Sequence, residues 1–228
     1  MLCTFQVRLI NMIIPYLHDQ TNFPDTQQAL DDPDGLLCVG GDLSVDRLIS
    51  AYRRGIFPWY SDRDPILWWS PAERMVLFPN QLHVSKSFKK ALRVHQPTFF
   101  LNRNFEQVII NCAHVPRKDR GTWIHPEMIA AYIELFNTGH AFCLEVEIDG
   151  KLAGGIYGVV VDDIYCGESM FSIQTNGSKY AMYGLCQQML AQQIKLLDCQ
   201  LHNPHLESMG AQLISREEFQ KFLPHFPE

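Results

Sequence analysis

The stretch that decides the fold runs from residue 141 to residue 172 and reads AFCLEVEIDGKLAGGIYGVVVDDIYCGESMFS. Every second residue from Phe142 to Ile148 is apolar, which is typical of a half-buried β-strand. Asp149-Gly150 follows, a residue pair that suits a two-residue hairpin turn. Asp162-Asp163 separates two further apolar runs. The stretch therefore predicts three consecutive antiparallel strands.

Downstream of these strands the apolar spacing changes to that of a helix. Apolar residues at helical intervals predict a helix from Ser178 to about Lys195, and the apolar run from Leu196 to Leu201 predicts another strand. Upstream, the cap and breaker residues predict helices over Ser85 to Val94, Phe105 to Ala113 and Glu127 to Asn137. The pattern is that of an α+β fold with a mostly antiparallel sheet flanked by helices.

The chain before Pro71 has a different character. It is irregular and rich in Gly, Pro and Trp, with one short helix expected from Val45 to Arg54. We therefore expect a small N-terminal α/β domain over residues 1–71 and a larger domain over residues 72–228.

Composition restricts the class of protein. The chain has 228 residues, 46% of them hydrophobic and 19% charged, with a net charge of -6, which describes a soluble globular protein. Seven cysteines without a C-x-x-C pair suggest neither a disulfide framework nor a structural zinc site, and a reducing cytoplasm is the simplest location. The apolar stretch from Leu9 to Leu17 is too short to span a membrane.

Two polar groups within predicted strands are candidates for chemistry. Glu168 lies among apolar residues, where a carboxylate is costly unless it is paired or used, although a solvated position at the sheet edge is an alternative. Period-two alternation places Asp198 and Gln200 on one side of their strand, a carboxylate and an amide suited to proton handling and to stabilising developing charge. Cys199, His202 and His205 form a weaker alternative as metal ligands, with no obvious fourth ligand, and we expect no metal.

Three further features point to anionic or aromatic ligands. The predicted helix after Ser85 carries Lys86, Lys89, Lys90 and Arg93, which suit phosphate binding or form an ordinary solvated face. Three of the four Trp lie within eleven residues, as an aromatic wall that stacks a base or as the core of a small domain. The loop from Gln174 to Lys179 half-matches a Q-x-x-G-x-G/A pyrophosphate loop, but Lys179 replaces the last small residue.

An ordered set of motifs resembles one family. The motifs, in chain order, are Gly35-Leu36-Leu37, Gly40-Gly41-Asp42-Leu43, Tyr52-x-Arg54-Gly55-Ile56-Phe57-Pro58-Trp59, Trp68-Trp69-Ser70-Pro71, Gly121-Thr122-Trp123-Ile124, Gly154-Gly155-x-Tyr157-Gly158, Gly167-Glu168-Ser169-Met170-Phe171-Ser172 and Asp198-Cys199-Gln200. Together they resemble the leucyl/phenylalanyl-tRNA–protein transferase family, from about Phe23 to Gly210.

The resemblance implies an activity and a fold. The family moves Leu or Phe, and less readily Met, from aminoacyl-tRNA to the N-terminal Arg or Lys of a protein, which marks that protein for degradation by the bacterial N-end rule. It joins a small N-terminal domain to an acetyltransferase-like (GNAT-like) domain that uses no coenzyme A. The expected protein needs no cofactor, binds neither DNA nor membranes, and is a cytoplasmic monomer.

The resemblance also assigns roles to residues of this chain. Trp59 and Trp123 would hold the terminal adenosine of the tRNA, and Glu168 would lie near the α-amine of the aminoacyl group. Asp198 and Gln200 would orient or deprotonate the incoming amine and hold the ester carbonyl, with support from Asn203. The side-chain pocket would consist of Met170, Met182, Leu185 and Leu197, with Ile156 at a position where the family often has Met. The acceptor stem would be gripped by Lys86, Lys90 and Arg93.

Three alternatives stay open from the residues themselves. The strands and the Gln174 loop would suit a coenzyme-A-dependent N-acyltransferase, which acetyl-CoA binding would reveal. A FemX-like aminoacyltransferase would share the tRNA donor but use cell-wall peptides as acceptors. A non-enzymatic RNA-binding module would use the basic helix and the Trp cluster and would not need Asp198 or Gln200.

Overall fold

The computed structural model describes residues 14–18, 22–115 and 122–224. The first unit is a small four-stranded sheet with the order β1-β2-β4-β3, formed by β1 (Tyr16–Leu17), β2 (Leu36–Gly40), β3 (Phe57–Pro58) and β4 (Leu67–Trp69). Helix α1 (Val45–Tyr52) connects β2 to β3 and begins at Ser44, whose hydroxyl accepts the Arg47 N–H. Gly55 follows at φ +71, where the chain turns back towards the sheet.

The second unit is a seven-stranded sheet with the order β11-β5-β10-β9-β8-β7-β6. Its strands are β5 (Glu73–Leu77), β6 (Thr98–Leu101), β7 (Ala141–Ile148), β8 (Lys151–Val161), β9 (Ile164–Ser172), β10 (Leu196–Gln200) and β11 (Gln212–Ser215). All neighbouring pairs are antiparallel except β9 and β10. The predicted α+β class with a mostly antiparallel sheet is therefore confirmed.

Helices cover both faces of this sheet. The helices are α2 (Lys86–His95), α3 (Phe105–His114), α4 (Pro126–Asn137), α5 (Gly177–Ala191), α6 (Pro204–Glu207) and α7 (Arg216–Gln220). One apolar core contains the inner sides of α3 and α4, and the other contains those of α2 and α5. Because both faces are covered, even Glu145 of β7 is buried, where its carboxylate pairs with Arg103.

Most predicted elements are observed with small shifts at their ends. Asp149 and Gly150 both have positive φ, as the predicted hairpin turn requires. Helix α5 ends at Ala191 rather than at Lys195, and Gln193 adopts φ +61 in the turn that leads into β10. The helix expected over Val45 to Arg54 ends at Tyr52.

The sheet opens between β9 and β10. Their parallel pairing stops at Asp198, opposite Cys166, whereas β9 continues to Ser172. An irregularity in β10 between Asp198 and Gln200 accompanies the separation. The last residues of β9 therefore have no β10 partner, and a cavity lies beside them.

The two sheets divide close to residue 71, since β4 ends at Trp69 and β5 begins at Glu73. Their apolar interior is nevertheless shared, because one core contains Leu48 and Trp68 of the first unit together with Val76 and Tyr157 of the second. Among the helices in the described ranges, none is long and apolar enough to cross a membrane. Residues 9–13 of the apolar N-terminal stretch and Gly121 of the quoted motifs lie outside the described residues.

Candidate active site

A cavity of about 530 Å³ lies where β9 and β10 part. The first unit contributes Phe57, Pro58 and Trp59 to its wall. The larger unit contributes the run 167–172 of β9, the end of β10, and the first turns of α5. The cavity therefore joins both units and collects most of the residues singled out from the sequence.

Glu168 is the buried carboxyl group on the cavity wall, with 8% of its surface exposed. Its Oε1 accepts hydrogen bonds from the Tyr52 hydroxyl at 2.7 Å and from Gln200 Nε2 at 2.8 Å, and its Oε2 accepts one from the Tyr132 hydroxyl at 3.0 Å. Burial raises the pKa of Glu168 to about 7, although these three donors oppose the rise. Near neutral pH the site thus holds a carboxyl group that changes charge easily.

Gln200 reaches this carboxyl group because the end of β10 is irregular. Its backbone has φ +63, a conformation that non-glycine residues adopt rarely. The Gln200 N–H donates to Asp198 Oδ1 at 2.9 Å, while its side-chain amide donates to Glu168. Gln200 is thus held at the cavity wall through its backbone N–H and through its side-chain amide.

Asp198 occupies a different position from the one expected for a group that meets the substrate. Its carboxylate is fully buried and is not on the cavity wall. Asp198 Oδ1 accepts from Arg74 Nε at 2.8 Å and Oδ2 from Arg74 Nη2 at 2.7 Å. Strand alternation alone placed Asp198 beside Gln200 on one side, but the irregular backbone leaves only Gln200 facing the cavity.

The tryptophans separate into core and wall. Trp68 is fully buried and donates from Nε1 to the Gly40 carbonyl, so it belongs to the core of the first unit. Trp69 is also buried and packs edge-on against Trp59, with ring centroids 5.7 Å apart. Trp59 and Trp123 both lie on the cavity wall and are only partly buried. Trp59 and Trp123 therefore line the cavity, together with Phe57 and Phe171, whereas Trp68 and Trp69 belong to the core.

The apolar part of the wall contains most of the predicted pocket. The cavity is lined by Ile156, Met170, Met182 and Leu197. Leu185 is buried in the same core but lies behind the wall. Leu206 and Val115 also line the cavity and were not expected. Asn203 is on the wall, but its side-chain oxygen accepts the His205 and Leu206 N–H groups and thereby caps α6.

Comparison with known proteins decides the family. The sequence-family model for leucyl/phenylalanyl-tRNA protein transferase matches residues 76–224. The family model for the N-terminal domain of the same enzyme matches residues 41–72. The chain belongs to the leucyl/phenylalanyl-tRNA–protein transferase family. It is an aminoacyltransferase, as the sequence motifs predicted.

Relatives in this family cover nearly the whole chain. The leucyl/phenylalanyl-tRNA–protein transferase of Aliivibrio fischeri strain MJ11 is 52% identical over 89% of this chain and 84% of its own length. That of Cellvibrio japonicus is 48% identical over 95% of this chain and 92% of its own length. Among solved structures, a GCN5-related N-acetyltransferase from Kribbella flavida covers 72% of this chain and 58% of its own, with 10% identity and a TM-score of 0.40.

Within this family member, the predicted basic residues form one face of α2. Lys86, Lys90 and Arg93 are exposed along that face. The opposite side of α2 packs on α5, where Phe88 stacks on Tyr180 with ring centroids 5.2 Å apart. Because α5 also lines the cavity, the apolar side of α2 rests on an element of the candidate site. Arg103, which follows α2 in the chain, does not belong to this face; it forms ion pairs with Glu145 and Glu147.

The Gln174 loop differs from an open anion cradle. The Ser178 N–H in the first turn of α5 already donates to the Ser172 hydroxyl, at 3.2 Å. A Cβ at Gly177 would lie 2.1 Å from the Ala153 carbonyl oxygen, so this turn packs directly on β8. The residues present do not fit a coenzyme A pyrophosphate well, since the backbone donor is occupied.

Metal ligation finds no support in the arrangement of side chains. Over residues 14–18, 22–115 and 122–224 no group of three or more His, Cys, Asp or Glu side chains is placed to hold an ion. Cys199, His202 and His205 do not form the cluster that was considered as an alternative. Cys38, Cys143, Cys166, Cys186 and Cys199 are free thiols.

Three contributors to this family member's site had no role assigned from the sequence, although Tyr52 opens one of the quoted motifs. Arg74, Tyr52 and Tyr132 come from β5, α1 and α4, far from Glu168 and Asp198 along the chain. A signal for Arg74 existed, because it is the only charged residue in the apolar run from Arg74 to Phe78. Tyr132 gave no such signal, since an aromatic residue on an apolar helix face is ordinary core.

Proposed function

We propose that the protein transfers leucine or phenylalanine, and less readily methionine, from aminoacyl-tRNA to the N-terminal Arg or Lys of acceptor proteins, marking them for N-end rule degradation. The observation that carries this proposal is one cavity that combines two tryptophans, an apolar pocket and a buried carboxyl–amide pair. These groups are complementary to the base, the amino-acid side chain and the α-ammonium group of an aminoacyl-adenosine.

Binding divides among three parts of the cavity. We assign the terminal adenosine to Trp59 and Trp123, because aromatic rings stack on unpaired bases. The aminoacyl side chain enters the apolar part around Met170 and Met182. A misplaced methyl group there costs about 1–3 kcal/mol, enough to favour side chains with an unbranched β-carbon, such as Leu, Phe and Met, over β-branched ones. Glu168, when ionised, holds the α-ammonium group of the donor.

The reaction is aminolysis of an ester. The acceptor α-amine nitrogen bonds to the ester carbonyl carbon, and the bond from that carbon to the ribose oxygen breaks. The amine proton ends on the ribose hydroxyl. The protein contributes alignment and stabilisation of the tetrahedral oxyanion, for which the Gln200 amide is the candidate group. Asp198 acts from beneath the wall by orienting Gln200, rather than by taking the proton itself.

The remaining assignments concern the macromolecular substrates. Lys86, Lys90 and Arg93 hold phosphates of the acceptor stem, because three exposed cations share one face of α2, whose other side packs on α5. Asn203 shapes the cavity rim by capping α6. The chain acts as a cytoplasmic monomer without a cofactor and does not bind DNA, and residues 1–71 and 72–228 are its two domains.

Transfer of radiolabelled leucine from Leu-tRNA tests the proposal. The acceptors are one protein beginning with Arg and the same protein beginning with Gly. We expect label on the Arg protein only, and a loss of at least tenfold in Gln200→Ala, which should remain folded with a cost of only about 1 kcal/mol. Absence of transfer by folded wild type would contradict the proposal. Acetyl-CoA and cell-wall peptides would then be tried as donor and acceptor.

A further inference from the structure

Arg74 is buried under the cavity in a fixed orientation. It is the second residue of β5, and 2% of its surface is exposed. Its guanidinium lies over two rings, Phe57 of the first unit and Phe219 of α7, each with its centroid 4.7 Å from the guanidinium carbon. A buried arginine packed on two aromatic rings is restricted in its rotation, so its donors keep one direction.

Those donors point at Asp198. Arg74 Nε and Nη2 each donate to one carboxylate oxygen, at 2.8 and 2.7 Å, which is the two-pronged arrangement that a planar guanidinium favours. Asp198 Oδ1 also accepts the Gln200 N–H. The carboxylate is thus an intermediate link between Arg74 and the backbone of Gln200.

The Gln200 backbone is where this link matters. Gln200 has a positive φ and lies at the irregularity of β10, so its backbone conformation must be stabilised by contacts with neighbouring residues. The Asp198 carboxylate accepts the hydrogen bond of the Gln200 N–H, and Arg74 fixes the plane of that carboxylate. At the other end of the residue, the side-chain amide meets Glu168 at 2.8 Å.

We propose that Arg74 is a positioning residue of the transfer reaction, which fixes Asp198 so that the Gln200 amide is presented to the cavity. Arg74 itself does not line the cavity. The kinetic part of this inference rests on the proposed function. Because a lysine offers a point charge rather than a planar fork, Arg74→Lys keeps the charge but loses the orientation.

The kinetic test compares Arg74→Lys with Arg216→Lys. Arg216 is a matched control, because it is partly buried, follows directly after β11, which pairs with β5, and donates to the Pro71 carbonyl rather than to Asp198. We expect Arg74→Lys to lower kcat at least tenfold with KM for Leu-tRNA within twofold of wild type. Arg216→Lys should keep both constants within twofold.

A second readout needs no activity. With ¹⁵N-labelled glutamine, the side-chain amide signals of Gln200 are assigned by their absence in Gln200→Leu. We expect these signals to shift in Arg74→Lys and to stay in place in Arg216→Lys. If wild type transfers no leucine but the Gln200 signals shift, the proposed function is wrong while the structural link from Arg74 to Gln200 stands.

A milder variant covers the case in which Arg74→Lys does not fold. Phe219→Leu removes one stacking ring and keeps the arginine, and we expect its kcat to fall at least threefold with KM unchanged. Unchanged kcat in a folded Arg74→Lys, or in Phe219→Leu where the lysine variant fails to fold, would overturn the inference. Equal losses in Arg74→Lys and Arg216→Lys would also overturn it, because the effect would then follow general destabilisation.

Discussion

At the scale of single residues, Glu168 shows how burial prepares an acid for use. Three donors surround its carboxyl group, yet removal from water outweighs them and its pKa rises from 4.5 to about 7. An isolated buried carboxylate is expensive, and a functional site is the usual reason for retaining one. The pKa shift also ties the stability of the fold to pH.

We predict that wild type loses stability as pH rises through the pKa of Glu168 and that Glu168→Gln does not, so that the variant becomes more stable relative to wild type. A carboxyl group whose pKa is higher in the folded than in the unfolded state stabilises the fold least once pH exceeds the folded pKa. Between pH 4.5 and pH 7, this effect lowers the free energy of unfolding of wild type by about 3 kcal/mol. Thermal unfolding at pH 5 and pH 8 measures it. A difference in Tm between the two proteins that does not change with pH would contradict the prediction.

Asp198 is the second residue whose surroundings determine its role. Removing one partner of a fully buried ion pair leaves the other charge uncompensated, at a cost of about 3–5 kcal/mol. We therefore predict that Asp198→Ala lowers the free energy of unfolding by this amount, as measured by urea denaturation. Gln200→Ala is the control and should cost about 1 kcal/mol. If Asp198→Ala were equally mild, the carboxylate would not be needed to balance Arg74.

At the scale of elements, α2 and α5 form one working pair. The apolar side of α2 is fixed to α5 through Phe88, and its basic face is left exposed. Helix α5 in turn presents Met182 to the cavity. The element proposed to contact the amino acid thus directly supports the element proposed to hold the nucleic acid.

We predict that Lys90→Gln weakens binding of aminoacyl-tRNA without affecting aminoacyl-adenosine. Losing one phosphate contact should reduce the slope of log affinity against log salt by about 1. KM measured over a series of salt concentrations, with both donors, tests this expectation. Lys151→Gln, an exposed lysine at the start of β8, should leave the slope unchanged. Equal weakening for both donors would show that Lys90 affects the cavity rather than the tRNA.

Two methionines of α5 allow a matched test of the pocket. Met182 lies on the cavity wall and Met189 lies behind it, and both are buried. Replacing either by Ala should cost about 2–5 kcal/mol of stability. Only Met182→Ala should raise transfer of Phe relative to Leu, by about tenfold, because it widens the space beside the side chain. The ratio of kcat/KM for the two donors measures the effect, and an equal change in Met189→Ala would contradict it.

At the scale of the whole molecule, the two units share their interior and the site. Tyr52 of α1 donates to Glu168 of β9, and Phe57 of β3 stacks on Arg74 of β5. One apolar core extends across both sheets. The first unit is therefore part of the active site rather than an appended module.

We predict a single cooperative unfolding transition for the whole chain. Because the shared core and the Tyr52–Glu168 contact are lost together, neither sheet should unfold at a separate temperature. Differential scanning calorimetry should give a ratio of calorimetric to van't Hoff enthalpy near one. Two resolved transitions would mean that the units fold independently. A fragment of residues 72–228 should then be stable by itself, contrary to our expectation.

The sequence by itself determined the elements and the family. Hairpin turns at Asp149-Gly150 and Asp162-Asp163, and the change from period two to helical spacing before α5, are local patterns that adjacent residues specify. The ordered motifs likewise predicted the family to which the chain belongs. Glu168 and Trp59 could be singled out because an acid among apolar residues and clustered aromatic rings are visible in one dimension, whereas Trp123 was identified by the family resemblance alone.

Only the tertiary structure decided what surrounds those residues. Tyr52, Arg74 and Tyr132 meet Glu168 and Asp198 across 116, 124 and 36 positions of the chain, separations at which no local pattern predicts a contact. The irregular end of β10 broke the alternation that placed Asp198 and Gln200 on one side. As a result one of them is buried against Arg74 and the other faces the cavity, because burial and pairing depend on the packing of distant elements.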